Sequence, residues 1–476
     1  YTEKDTSNFP KNDEDSNMAI AAVYENLNQV CATPLQSFLY VSMLASDDNF
    51  GGGGPNDLLM QAEDFLMVSQ ADMTNQFFND RYAGINRANT VIEATAALEN
   101  ENQKQVHGEA LFLRAYYYYE LASMYGNVPL ALSTTAAEPV QPTAAELWGQ
   151  ILKDLKKACD IMPSKRLTNG HVDKYTAEAL LGRAWLYYTG MYGNGEDIAS
   201  LTSTNYSPLA SVELPAAEGE DAVTLTKQDV IGYIDDCVKN SGYDLVPDFR
   251  NLWAYTNKYT VEHFPLTAGQ GLKWVEDDNA VNPESMFAIK FNKLADWGTT
   301  IGYGNGFALH FSCRGGIGDT FPFGTGWGAA PVTENLWNDW KAAEPNDMRR
   351  TASIQDVTKL PNYVMGGGGE FIQETQYYEM KISAVQGMKD DGTYSICFEN
   401  LMYGEDGWTQ GPNNLQLNNI HDLVLIRFAD VLLMQSELKD DVTGINRVRA
   451  RAGLNPVPAT VERKHLYQSD NCGSGC

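Results

Sequence analysis

The stretch "GDTFPFGTGWG" (318–328) sets Phe321, Phe323 and Trp327 among glycines, and "LADWGTTIGYGNGF" (294–307) adds Trp297 and Tyr303 in similar surroundings. Rigid aromatic faces stack on the apolar faces of sugar rings, while nearby amides, carboxylates and guanidinium groups bond the hydroxyls. Two readings stand for each ring: a platform for a ligand, or part of a satellite core beneath the loops. The glycines on either side of Trp327 favour binding there.

Catalytic constellations are absent from the sequence. It contains no HExxH, no GxSxG and no P-loop, and its six histidines (107, 171, 263, 310, 421, 465) are far apart. Carboxylates are too numerous for a glycosidase pair to be picked out. "DGTYSICFEN" and "EDDNAVNPE" offer oxygens without the spacing of an EF-hand, so no metal and no cofactor are expected. The seven cysteines show no CxxC pair, and only Cys472 and Cys476 in the tail "NCGSGC" lie close together.

The elements that must carry the aromatic loops are helical. "ALFLRAYYYY" (110–119) matches "ALLGRAWLYY" (179–188) at an offset of 69 residues. That is close to twice the period of tetratricopeptide repeats, about 34 residues. Four consecutive tyrosines cover most of a helix's circumference, so this helix is expected to be gripped on nearly every side, with Tyr118 and Tyr119 largely buried. Arg114 and Arg183 are expected to tie adjacent helices. "TAAELWGQILKDLKKACDIM" opens with Thr143 and Glu146 at capping-box spacing. Leu425, Phe428 and Leu432 mark a further helical stripe, followed by the helix "GINRVRARAGL". Between them, about 246 to 420, short extended patches ("SMFAIKFN", "YEMKISAV") alternate with glycine-rich loops and predict an irregular, partly β insertion.

Composition bounds the partners. Of 476 residues, 43% are hydrophobic, enough for a large core, and 34 basic against 62 acidic residues give a net charge of −28. Such a surface repels nucleic acid and anionic membranes. The longest apolar stretch, "DLVLIRFADVLLM", is too short and too charged to span a bilayer.

Taken in order, "YAGINRANTVIE" (82–93), "GEALFLRAYYYYELASMYGNVPL" (108–130), "TAEALLGRAWLYY" (176–188), "GWG" with "PNDMRRTASI" (345–354), and "LIRFADVLLMQSE" with "INRVRARAGL" resemble the SusD/RagB family. These are outer-membrane glycan-binding lipoproteins of Bacteroidetes. The matches span about residues 18 to 455; after "RARAGL" the chain departs from the family's Glu/Arg-rich continuation. The resemblance implies one mostly α, SusD-like domain over 1–476. Its tetratricopeptide-like scaffold would span about 15–245 and 421–455, with the insertion at about 246–420. It implies a surface-exposed protein that binds oligosaccharide, is held by a lipid on a cysteine preceding Tyr1, and serves a SusC-like TonB-dependent transporter. It also adds site residues: Asp47, Asp48 and Asn49 at a loop-acid position, Phe78 near a position often held by tryptophan, and Arg81 one turn on. Asp48 reads equally as a turn cap and Phe78 as core. Two other functions remain, a helical-repeat scaffold that binds only protein and a glycoside hydrolase.

Overall fold

The computed structural model describes residues 9–458 except 32–36, 53–73, 136, 193–194, 196–206, 217–220, 292–303, 316–317, 325, 361, 367–372, 389, 397–418 and 420. Helices come first: α1 (Asp13–Cys31), α2 (Phe38–Leu44), α3 (Asn75–Ala94), α4 (Glu101–Tyr125), α5 (Ala144–Ile161) and α6 (Lys174–Met191). The antiparallel pair β1 (Ser211–Leu214) and β2 (Val223–Thr226) leads into α7 (Lys227–Asn240). The insertion holds β3 (Ser285–Ile289), the short helices α8 (Gly306–Phe311), α9 (Glu334–Ala343) and α10 (Met348–Ser353), and strands β4 (Ile354–Asp356), β5 (Tyr377–Glu379), β6 (Gln386–Met388) and β7 (Tyr394–Ile396). The chain returns through β8 (Leu423–Arg427) to α11 (Phe428–Lys439) and α12 (Thr443–Arg451). The outcome is the expected mostly α, tetratricopeptide-like arrangement with a partly β insertion.

In the scaffold each helix packs on the next: α1 on α3, then α3 through α7 in sequence, then α11 and α12. The capping box at Thr143 and Glu146 is formed. Helix α4 sits in the middle of this stack, buried from Val106 to Leu113 and on through Ala122 on almost every face. Its tyrosines use their hydroxyls as well as their rings. Tyr116 donates to Glu120 Oε1 (2.7 Å), Tyr117 to the Val23 carbonyl (2.6 Å) and Tyr118 to the Ala131 carbonyl (3.2 Å). Tyr119 differs from expectation: it is only half-buried, because one side of it faces a partly open cavity rather than a neighbouring helix.

Arg114 grips Asp154 of α5 through Nε (2.7 Å) and Nη2 (2.8 Å) and reaches Asn89 of α3 through Nη1 (2.8 Å). One planar guanidinium thereby locks three helices, the forked geometry that lysine lacks. Arg183 of α6 pairs with Asp430 of α11 and donates to the Leu425 carbonyl (3.1 Å).

Strands β3 and β8 pair antiparallel, with Ser285 opposite Arg427 and Ile289 opposite Leu423. This pairing joins the insertion to the strand that leads back into the scaffold. It also corrects the reading of Leu425 as helical. The run Leu423–Arg427 is a strand, since a partner strand more than a hundred residues upstream claims its backbone, and the helix begins only at Phe428. Among the described residues no helix is long and apolar enough to cross a membrane.

Candidate functional site

Short helix α8 is buried from Phe307 to Phe311, with Phe307, Leu309 and Phe311 all within 2% of full burial. A helix this short leaves most of its carbonyls without helical partners. The segment that follows turns back and supplies them: Trp327 N donates to the Leu309 carbonyl (2.9 Å), Ala329 N to His310 (2.8 Å) and Gly328 N to Ser312 (2.9 Å). Gly326 permits the approach, as a Cβ there would lie 2.1 Å from the Ser312 carbonyl oxygen.

This fold-back presents Trp327 at the surface, 44% exposed. One face of the indole rests on the His310 imidazole, with centroids 4.5 Å apart. His310 is itself wedged edge-on against Tyr40 at 5.6 Å. Burial pushes the His310 imidazole down to about 4, so at neutral pH the tryptophan stands on an uncharged support. Exposed Arg314 donates from Nε to the Trp327 carbonyl (2.7 Å) and brings its guanidinium alongside.

A second segment runs beside the first. Phe50 N donates to the Pro331 carbonyl (2.9 Å), Thr333 N to Asp48 (2.9 Å) and Asn49 Nδ2 to Ala330 (3.0 Å). Gly52, at φ +71°, lies so near Gly328 that a Cβ would come within 2.5 Å of its carbonyl oxygen. The Trp327 loop and the 47–52 loop therefore meet. Asp47 is exposed and Asp48 half-buried, with the Asp48 carboxyl raised first by burial and then by the charge of Asp47. A half-buried carboxyl in a loop that meets the Trp327 loop can exchange hydrogen bonds with hydroxyl groups.

The other expected site residues fall elsewhere. Phe323 is 1% exposed, edge-on to Tyr255 and Phe264; with no open face it is a core ring, not a platform. Phe321, 8% exposed, lies under Tyr394 at 5.3 Å and supports that exposed ring instead. Asn49 is buried and spent as a clip between the loops. Arg81 turns inward: its Nε meets Glu120 Oε2 at 2.7 Å and its Nη1 the Asn26 carbonyl at 2.9 Å, so it is a core ion pair rather than a surface sugar contact. Phe78 is half-buried against Tyr82 (4.8 Å) and Tyr125 (5.3 Å) at the end of α3. Trp297 and Tyr303 lie outside the described residues. Sequence reasoning missed His310, Arg314 and Tyr394. Nothing in their spacing ties them to the site, since the ties come from the fold-back over α8 and from the β6–β7 pair.

A family model described as "Starch-binding associating with outer membrane", SusD-like, matches residues 3–186. "SusD-like protein P2" of Formosa agariphila is 23% identical over 423 residues, covering 85% of this chain and 68% of that protein. A SusD-like protein of Bacteroides ovatus is 22% identical, and the chain spans 65% of its length. The solved "Surface glycan-binding protein A from Bacteroides thetaiotaomicron in complex with laminarihexaose" superposes with a TM-score of 0.67 at 18% identity, over 97% of this chain and 87% of that one. In sequence and in fold, this chain is similar to SusD-like proteins.

Proposed function

We propose that the protein binds oligosaccharide without cleaving it, as a single domain at the cell surface, and passes it to a SusC-like TonB-dependent transporter while a lipid on a preceding cysteine holds it to the outer membrane. The observation that carries this reading is the exposed Trp327 indole, propped on a neutral imidazole where two hydrogen-bonded loops meet. A rigid, pre-positioned ring loses little freedom when a sugar settles on it. Asp47, Asp48 and Arg314 stand within the same two loops to bond hydroxyls. Tyr394, exposed on Phe321, offers a further ring. Laminarihexaose, the ligand of the Bacteroides thetaiotaomicron protein, is the first glycan to try. Incubated with the protein, it should be retained and recovered at its original length; shortened products would favour a glycoside hydrolase. The lipidated protein extracted from native membranes in mild detergent should bring a β-barrel with it, and its recovery alone would remove the transporter from the account.

A further inference from the structure

Where the scaffold meets the insertion lies a partly open cavity of about 460 Å³. That is within the range of small-ligand sites, roughly 300–1,000 Å³, and such sites favour junctions of this kind. Its scaffold wall comes from α3, α4, α6 and α11, and its opposite wall includes Trp253, Trp274 and Lys381 of the insertion. At its edge Ser42 of α2 is both a wall residue and exposed.

Three features of the wall define what would fit. First, Arg183 and Asp430 keep 27% and 24% of their side-chain surface accessible although α6 and α11 pack on each other, and both line the cavity. Second, among the described wall residues four arginine or lysine side chains face four carboxyl groups, of which burial raises Glu276 to about 7 and Asp422 above its ordinary range, while burial holds His421 down to about 4 and hence neutral. With every cation of the wall matched by a carboxyl group and no large excess of either sign, the wall suits a neutral molecule rich in donors and acceptors. Third, the Tyr119 hydroxyl, unlike those of Tyr116, Tyr117 and Tyr118, makes no hydrogen bond among the described residues, and Tyr119 lines this space. Cavities with such polar walls hold water, and hydroxyl groups can replace water where they reproduce its bonds.

We propose that this cavity is a second binding site, separate from the Trp327 platform, and that it takes one neutral sugar unit, with Tyr119 and the Arg183–Asp430 pair bonding its hydroxyls and Trp253 walling one side. The choice of a sugar among neutral polyhydroxylated molecules rests on the glycan-binding reading above; the site itself does not. Saturation-transfer NMR with D-glucose and with D-xylose tests it on four proteins: wild type, Tyr119→Phe, Ser42→Trp and Trp327→Ala. Tyr119→Phe keeps the ring on Trp148 and Tyr187, so the packing survives. One lost hydrogen bond should weaken binding about three- to tenfold. Ser42→Trp should block the edge of the cavity and abolish transfer, while Trp327→Ala should leave transfer to the monosaccharide intact. Absence of transfer to wild type would overturn the proposal, as would transfer lost only in Trp327→Ala or unchanged in both cavity variants. Failure of the surface-site reading would show differently, as oligosaccharide binding indifferent to Trp327.

Discussion

Glu178 of α6 is fully buried, with the Lys174 ammonium 3.5 Å from its Oε1, and burial pushes its carboxyl from the ordinary value of 4.5 to about 9. A carboxyl raised in the folded state binds a proton that the unfolded chain has already released between those two values. Its contribution to stability is therefore full below about pH 4.5 and declines as pH rises toward 9. Glu178→Gln removes that decline. Its melting temperature relative to wild type should climb by roughly 1–3 °C between pH 5 and pH 8. A difference flat with pH would mean that Glu178 is ionised in the native protein, held by Lys174. At this scale the sequence was a partial guide. It pointed to Trp327 because glycines flank it, and that ring is exposed. It could not separate Trp327 from Phe323, four residues earlier in the same loop, because only the fold-back decides which ring faces Tyr255 and which faces solvent. Arg81 misled for a related reason: its partner Glu120 is 39 residues away and on another helix.

Helices were the most legible elements, since an apolar stripe, a capping box and a repeated "ALxxRA" are local signals. The strand Leu423–Arg427 was not, because "LVLIR" runs straight into a helix and only its pairing with Ser285–Ile289 makes it extended. Buried ion pairs tie neighbouring helices of the scaffold, among them Arg114–Asp154, at 6% and 4% side-chain exposure. Among the described residues, Arg114→Ala leaves Asp154 as a buried carboxylate with Gln150 Nε2 at 2.8 Å as its remaining side-chain donor. Breaking such a pair costs about 3–5 kcal/mol, whereas replacing both partners by neutral groups of similar size costs far less. Urea unfolding should show that loss for Arg114→Ala and recovery of most of it in Arg114→Met/Asp154→Asn. A single variant within about 1 kcal/mol of wild type would show that the helices are locked by apolar packing instead.

Across the whole molecule, the scaffold and insertion divide the work. The largest buried cluster extends from Ala19 of α1 to Val448 of α12 and takes in Phe307, Phe311 and Phe323 of the insertion, so the loops that carry the candidate site are seated on the scaffold's core. Residues 47–52 and 326–333, far apart in sequence, meet through backbone hydrogen bonds rather than through any motif. A net charge of −28 adds that a neutral glycan approaches this surface without electrostatic cost, whereas a polyanion does not. The central claim is that the Trp327 ring is the main contact for the oligosaccharide. Isothermal calorimetry with a glycan that wild type binds, laminarihexaose first, should give an affinity for Trp327→Ala lower by about tenfold or more. That matches the roughly 1–2 kcal/mol of one stacked ring, with the variant's melting temperature unchanged because the indole is already 44% exposed. Equal affinities for the two proteins, both fully folded, would contradict the account and move the glycan to another part of the surface.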